Sequence, residues 1–170
     1  MQTLIDDIRE RLDGLELFRY IDEDWGQLDD YARPPAQYPC ALVDIARVQI
    51  ENTGRTTQTL IVTVLVRVAD MRLSNSSQKA PEDQRELAKY PLELAQYVYA
   101  ALHGWHKEDS AYGALSRTGL VRVRRDDGIR QYDISFSTVL KDTAAAVVID
   151  NLADQVPETI VPVITAQAKR

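Results

Sequence analysis

Apolar and polar residues alternate with two different periods along this chain, and the changes of period divide it into elements. Leu4, Ile5, Ile8 and Leu12 recur at helical spacing with Asp6, Asp7, Arg9, Glu10 and Arg11 between them. That pattern predicts a short amphipathic helix, which Gly14 can stop. From Leu17 to Asp22 the pattern alternates, predicting a strand that fades into the acidic stretch "YIDEDWGQLDDY". The prolines of "DDYARPPAQYP" then require an extended, irregular path, because each fixes its own φ and biases the preceding residue away from helix. "CALVDIARVQIE" and "TQTLIVTVLVRVAD", separated by the turn signal "NTGRT", carry the clearest period of two. Leu60, Val62, Val64, Val66 and Val68 share one apolar face, while Thr59, Ile61, Thr63, Leu65 and Arg67 make a mixed one. The expectation is a long antiparallel hairpin, buried on one face and half-covered on the other.

"MRLSNSSQKAPEDQ" reads as a polar loop. A long helix is predicted from Pro81 to His103, with Pro81 in its first turn and Glu82 and Asp83 complementing the N-terminal dipole. Leu87, Leu94, Val98 and Leu102 form its core stripe, flanked by Tyr90, Tyr97 and Tyr99, and Pro91 should kink it for want of an N–H. "GLVRVRRDDGIRQYDISFSTVL" is a second hairpin turning at Asp127-Gly128. It sets Tyr132, Ile134, Phe136 and Leu140 on one face and Gln131, Asp133, Ser135 and Ser137 on the other. From Thr143 onward there are no aromatic residues, and the pattern there is a short helix followed by the apolar run "TIVPVI". The predicted fold class is α+β, an antiparallel sheet built from two hairpins with one long helix packed on it, plus a short N-terminal helix and a C-terminal arm. Residues 1–142 would form the domain and 143–170 the extension.

Composition narrows the functional classes. The 170 residues are 45% hydrophobic and 27% charged, ordinary for a chain with a real core. A net charge of -6 argues against generic nucleic-acid binding, which needs an extended basic surface. The single cysteine, Cys40, excludes an intramolecular disulfide and a cysteine-rich zinc site, and ahead of an apolar strand it reads as a small buried residue. The charged, amphipathic start is not a signal peptide, and no run reaches the roughly 18 apolar residues of a membrane span.

Candidate chemistry is sparse. Asp22 and Asp24, two apart on a predicted strand, would project from one face, with Asp29 and Asp30 nearby. The stretch lacks the oxygen spacing and central glycine of a calcium loop, and neighbours on one strand face do not oppose each other across a cleft as glycosidase carboxylates do. A partner-facing or solvated acidic edge is the better reading. His103 and His106 bracket Trp105 but are too few for a zinc site by themselves. No glycine-rich phosphate loop is present. The remaining concentration of charge is basic: Arg117, Arg122, Arg124, Arg125 and Arg130 gather on the second hairpin of an otherwise acidic chain. An acidic edge and a basic hairpin in one subunit suit head-to-tail packing, one copy's acids meeting the next copy's arginines.

Several strings together resemble the small tail-terminator (tail-completion) proteins of long-tailed bacteriophages and prophages. They are "LIDDIRERL", "DWGQLDDY", "PPAQYPCALVDI", "ADMRLSNSSQKAP", "ALHGW" and "RRDDGIRQYDISF", spread over Met1 to Leu140. Neck and head-completion proteins of similar fold are the neighbouring possibility. The resemblance implies a virion structural protein of the tail or neck, present in the host cytoplasm during assembly. It would form a ring, commonly a hexamer, that ends the tail tube and meets the head connector. Its partners would be further copies of itself, the tail tube protein and a neck or head-completion protein, without a membrane, cofactor, metal or catalysis. Interface candidates are Asp22, Asp24, Trp25, Asp29, Asp30, Arg72, Arg122, Arg124, Arg125 and Arg130, with the apolar run Ile160–Ile164 as an assembly arm. The rival readings are a metal-dependent hydrolase or nuclease using Asp22, Asp24 and Asp29 with His103 or His106, and a cytosolic adaptor module.

Overall fold

The valine stripe decides the architecture. β2 (Cys40–Asn52) and β3 (Gln58–Met71) pair antiparallel, and Leu60, Val62, Val64, Val66 and Val68 are all buried on one face of β3. The computed structural model describes residues 1–29, 36–71 and 74–145. Within them β1 (Tyr20–Glu23), β4 (Ser116–Val123) and β5 (Ile129–Asp142) complete a five-stranded sheet in the order β1-β2-β3-β5-β4. Ile134 and Phe136 of β5 extend the apolar face. Leu4, Ile8 and Leu12 of α1 (Gln2–Asp13) and Leu94, Val98 and Leu102 of α3 (Tyr90–Leu102) cover it. Burying each such side chain contributes about 1.5–3 kcal/mol, so this layer carries the fold.

Three expectations change. Both hairpins are present as the pairs β2/β3 and β4/β5, but the sheet is mixed, because β1 runs parallel to β2 from Tyr20–Cys40 to Glu23–Val43. A parallel neighbour requires a crossover of about a dozen residues or more, which the proline-rich stretch after β1 supplies. The predicted single helix is two: α2 (Glu82–Leu87) ends at Ala88, and α3 begins at Tyr90 with Pro91 in its first turn. There the missing N–H costs no helical bond, so the proline starts a helix instead of kinking one. Leu87 falls on the far side of that break and is 64% exposed, leaving the core stripe to Leu94, Val98 and Leu102.

The second sheet face is only partly covered. Cys40, Leu42 and Ala69 are buried there against Leu28 and Ala36, with Tyr20, Tyr38 and Ile129 packed around them. The described residues end at Ala145, so the apolar run "TIVPVI" and the expected assembly arm at 160–164 lie outside them. Among the described residues no helix is long and apolar enough to cross a membrane.

Candidate interaction surface

The two ends of the sheet's strand order, β1 and β4, are where the sequence concentrates charge, and they are built differently. At β1 the carboxylates are tied inward. Asp22 accepts the Tyr20 hydroxyl at 2.7 Å, the Glu23 amide at 2.9 Å and the Trp25 indole N–H at 3.4 Å, with the Arg9 guanidinium at 3.3 Å. Burial pushes the Asp22 carboxyl up, but these hydrogen bonds and Arg9 outweigh it and hold the group below its ordinary value. Asp24 pairs with Arg67 of β3 at 2.7 Å, its side chain 5% exposed, and accepts the Gly26 amide at 3.0 Å. Gly26 has φ +98, so the turn that delivers this amide suits glycine.

The backbone at the end of this edge is occupied as well. Asp24 N–H donates to Val43 O at 2.9 Å, toward β2, so the alternation of a strand turns Glu23's groups outward. The Glu23 N–H goes to Asp22, and its carbonyl accepts Gln27 Nε2 at 2.7 Å. Gln27 is fully buried, and Trp25 is left standing 65% exposed beside them. The acidic stretch is a hydrogen-bonded cap on β1. Asp29 is exposed; Asp30 and Arg72 lie outside the described residues.

At the other end the arginines divide. Arg122 and Arg124 are exposed. Arg125 is internal, its side chain 5% exposed: it pairs with Asp127 at 2.6 Å, donates to Gln131 Oε1 at 3.0 Å, and reaches the Leu28 carbonyl. Those bonds hold Asp127 below its ordinary pKa and shape the turn that Gly128 closes with φ +80. Arg130 is 8% exposed and donates to the Ala88 carbonyl, tying β5 to the break between α2 and α3. Two of the four interface candidates on this hairpin are therefore framework residues. Arg117 stacks its guanidinium 3.8 Å from the Tyr99 ring centroid, while its N–H donates to His103 Nδ1 at 3.1 Å.

Sequence reasoning missed the partners that arrive from far along the chain. Arg9 and Arg67 neutralise the acidic stretch from α1 and β3. Asp7, buried on α1, accepts Tyr112 at 2.9 Å and Lys107 at 2.8 Å, and Lys107 also reaches Glu10 at 2.8 Å. Between α1 and α3 a groove of about 530 Å³ is lined by Arg11, Leu15, Tyr97, Ala101, Trp105 and Lys107. Nothing local in the sequence couples residues a hundred positions apart.

The rival catalytic constellation is not brought together. Asp22 belongs to β1, whereas His103 sits against β4, four strand spacings or about 19 Å across the sheet. Among the described residues no three His, Cys, Asp or Glu side chains gather as a metal-binding group. Cys40 is fully buried, and burial pushes its thiol up to about 12, which suppresses the thiolate a nucleophile needs.

No family model matches the sequence, and no curated protein matches it. Among solved structures the fold is similar to a chain in the virion of a native gene transfer agent (GTA) particle, with a TM-score of 0.45 and 12% identity. That likeness covers 72% of this chain and 78% of the other, and at this level it does not define a function.

Proposed function

We propose that this chain is a virion structural subunit of the tail-terminator kind, assembling head-to-tail into a ring that ends a tail tube and meets a neck or head-completion protein. The observation that carries the reading is the unlike dressing of the sheet's two ends. β1 ends in a capped edge whose Asp22 and Asp24 are paired inward and which leaves a tryptophan and Asp29 exposed; β4 presents exposed strand with Arg122 and Arg124. Unlike edges on one subunit suit heterologous contacts, which close into rings when the rotation permits. Tryptophan is enriched among the residues that carry interface energy, and Trp25 stands exposed beside satisfied polar groups. The resemblance of the sequence strings to tail terminators supplies the biological setting.

Native mass spectrometry and light scattering on the full chain, alone and mixed with purified tail tubes, test this. A closed oligomer in either condition, commonly of six copies, is expected. A strictly monomeric protein that neither assembles nor binds tubes at high concentration would sink the reading.

A further inference from the structure

α1 makes different contacts on its two flanks. Arg9 turns toward β1, where its guanidinium pairs with Asp22, and Asp22 accepts the Trp25 indole N–H. Arg11 is two residues on, about 200° around the helix axis, and turns toward α3, where its Nε donates to the Ala101 carbonyl at 3.3 Å. The Trp25 corner and the groove between α1 and α3 therefore lie on opposite sides of one helix.

The groove has a definite chemistry. Leu15, Tyr97, Ala100 and Trp105 give its roughly 530 Å³ an apolar lining. Its acids are engaged, because Lys107 holds both Asp7 and Glu10 at 2.8 Å. Arg11 differs: among the described residues no carboxylate pairs with it, and its guanidinium stands 5.8 Å from the Trp105 ring centroid. An apolar groove beside such a cation suits an aromatic side chain that has a carboxylate next to it.

The chain displays such a pair. Trp25, 65% exposed, is the most exposed large apolar side chain among the described residues. The Asp29 N–H donates to Gly26 O at 2.9 Å, and this turn brings the Asp29 carboxylate to 3.6 Å from where a Cβ on Gly26 would sit. Trp25 cannot reach the groove of its own chain, since α1 stands between them and Asp22 holds the indole on the β1 side. With the knob on one flank and the groove on the other, each copy gives the contact once and receives it once. That is the heterologous form that closes into rings.

We infer that the Trp25 indole of one copy docks in the groove between α1 and α3 of the next, beside Trp105, with Asp29 meeting the Arg11 guanidinium. This rests on the ring-forming reading and names the seat of its tryptophan anchor.

Two full-length variants, one of them isotope-labelled, provide the test. Trp25→Ala removes the knob and keeps the groove. Ala100→Glu, at an exposed helical position, keeps the knob and sets bulk and a carboxylate in the groove. Thermal melts establish folding; Asp29→Lys replaces the first variant, and Tyr97→Glu the second, if either fails to fold. Native mass spectra are taken in the condition in which the parent assembles, alone or on purified tail tubes. Each variant by itself should give at least about tenfold less ring than the parent. Mixed, the two should form one-to-one light–heavy dimers and nothing larger, because only one knob and one open groove remain. Rings from either folded variant, or a mixture that gives rings or no such dimer while the parent assembles, overturn this contact and leave the ring reading standing. A parent that stays monomeric in both conditions sinks the two together.

Discussion

Asp22 Oδ1 accepts the main-chain N–H of Glu23 at 2.9 Å, so the outward amide at the end of β1 is satisfied by the side chain of the residue before it. The same carboxylate holds Tyr20 and Trp25, which makes one half-buried aspartate the organiser of the sheet's acidic edge. Asp22→Ala removes acceptors from several donors at once and should cost about 1–3 kcal/mol, with the melting temperature falling about 2–4 °C for each kcal/mol in a chain of this size. Asp22→Asn keeps an acceptor oxygen and should lose less. Calorimetric melts of the two variants check this, and an Asp22→Ala variant that melts with the parent would show that the carboxylate is not the organiser.

The pair formed by Asp24 and Arg67 crosses from the acidic loop to the centre of the sheet. Arg67 also lies 4.0 Å from Asp133 of β5, so a single guanidinium links three parts of the chain. Removing it leaves Asp24, with its side chain 5% exposed, without its opposite charge. Arg67→Met should therefore destabilise by about 3 kcal/mol, the low end for a broken buried pair. The double variant Asp24→Asn/Arg67→Met should lose less than the sum of the single losses. Urea denaturation of all four members of the cycle decides the matter, and strict additivity would mean the two groups do not interact.

What the sequence made legible was whatever repeats locally. The stripe Leu60 to Val68, the Asp127-Gly128 turn and the faces of Leu94, Val98 and Leu102 follow from period and turn chemistry, and the structure has them in place. β1 was readable as a strand but not as a parallel neighbour of β2, because parallel pairing depends on where the crossover lands. Periodicity runs through Pro91 and so predicts a kink there, yet the chain uses it to begin a helix. At the candidate surface, sequence alone grouped Arg122, Arg124, Arg125 and Arg130. Their separation into exposed and internal pairs depends on Leu28, Ala88 and Gln131, which approach only in the folded chain.

Tyr112 and Asp7 join the segment leading into β4 to the first helix. The hydroxyl donates to Asp7 Oδ2 at 2.9 Å, while Lys107 holds the other oxygen. Burial, with the Asp7 hydrogen bond adding to it, pushes the Tyr112 phenol up to about 12, and burial does the same to Tyr38. An ultraviolet titration should show late-ionising tyrosines near that value, one fewer in Tyr112→Phe. Because Asp7 keeps Lys107, the variant should lose only about 1 kcal/mol. Unchanged late absorbance in the variant would refute the assignment.

Asp22 and Asp127 also set an acid limit. Both have folded pKa values below the ordinary 3.8, so the stability they contribute is complete above about pH 4. It is lost as the pH falls through their folded values. Asp70 works in the opposite sense: burial raises its pKa, so its carboxylate opposes folding at neutral pH, and protonation relieves that as the pH falls through the folded value. Melting temperature against pH should therefore show a late acid limb that Asp127→Asn flattens, while Asp70→Asn leaves that limb in place. A limb unaffected by Asp127→Asn would place the acid sensitivity elsewhere.

The division among the arginines separates assembly from folding. Arg122 and Arg124 are exposed, so reversing both to Glu should leave the melting temperature within about 2 °C of the parent, as surface substitutions usually do. If the proposed head-to-tail ring forms, the same reversal should impair it, because it would set Glu against acidic groups of the adjoining copy. Arg125 behaves otherwise, since Arg125→Met leaves Asp127 and the Leu28 carbonyl without their donor in a site where the side chain is 5% exposed. That variant should lose about 3 kcal/mol, whatever its effect on assembly. Thermal melts and native mass spectra of both variants, taken together, distinguish the roles. If the Glu reversal unfolds the protein, or Arg125→Met melts like the parent while blocking assembly, the surface and framework roles are the wrong way round.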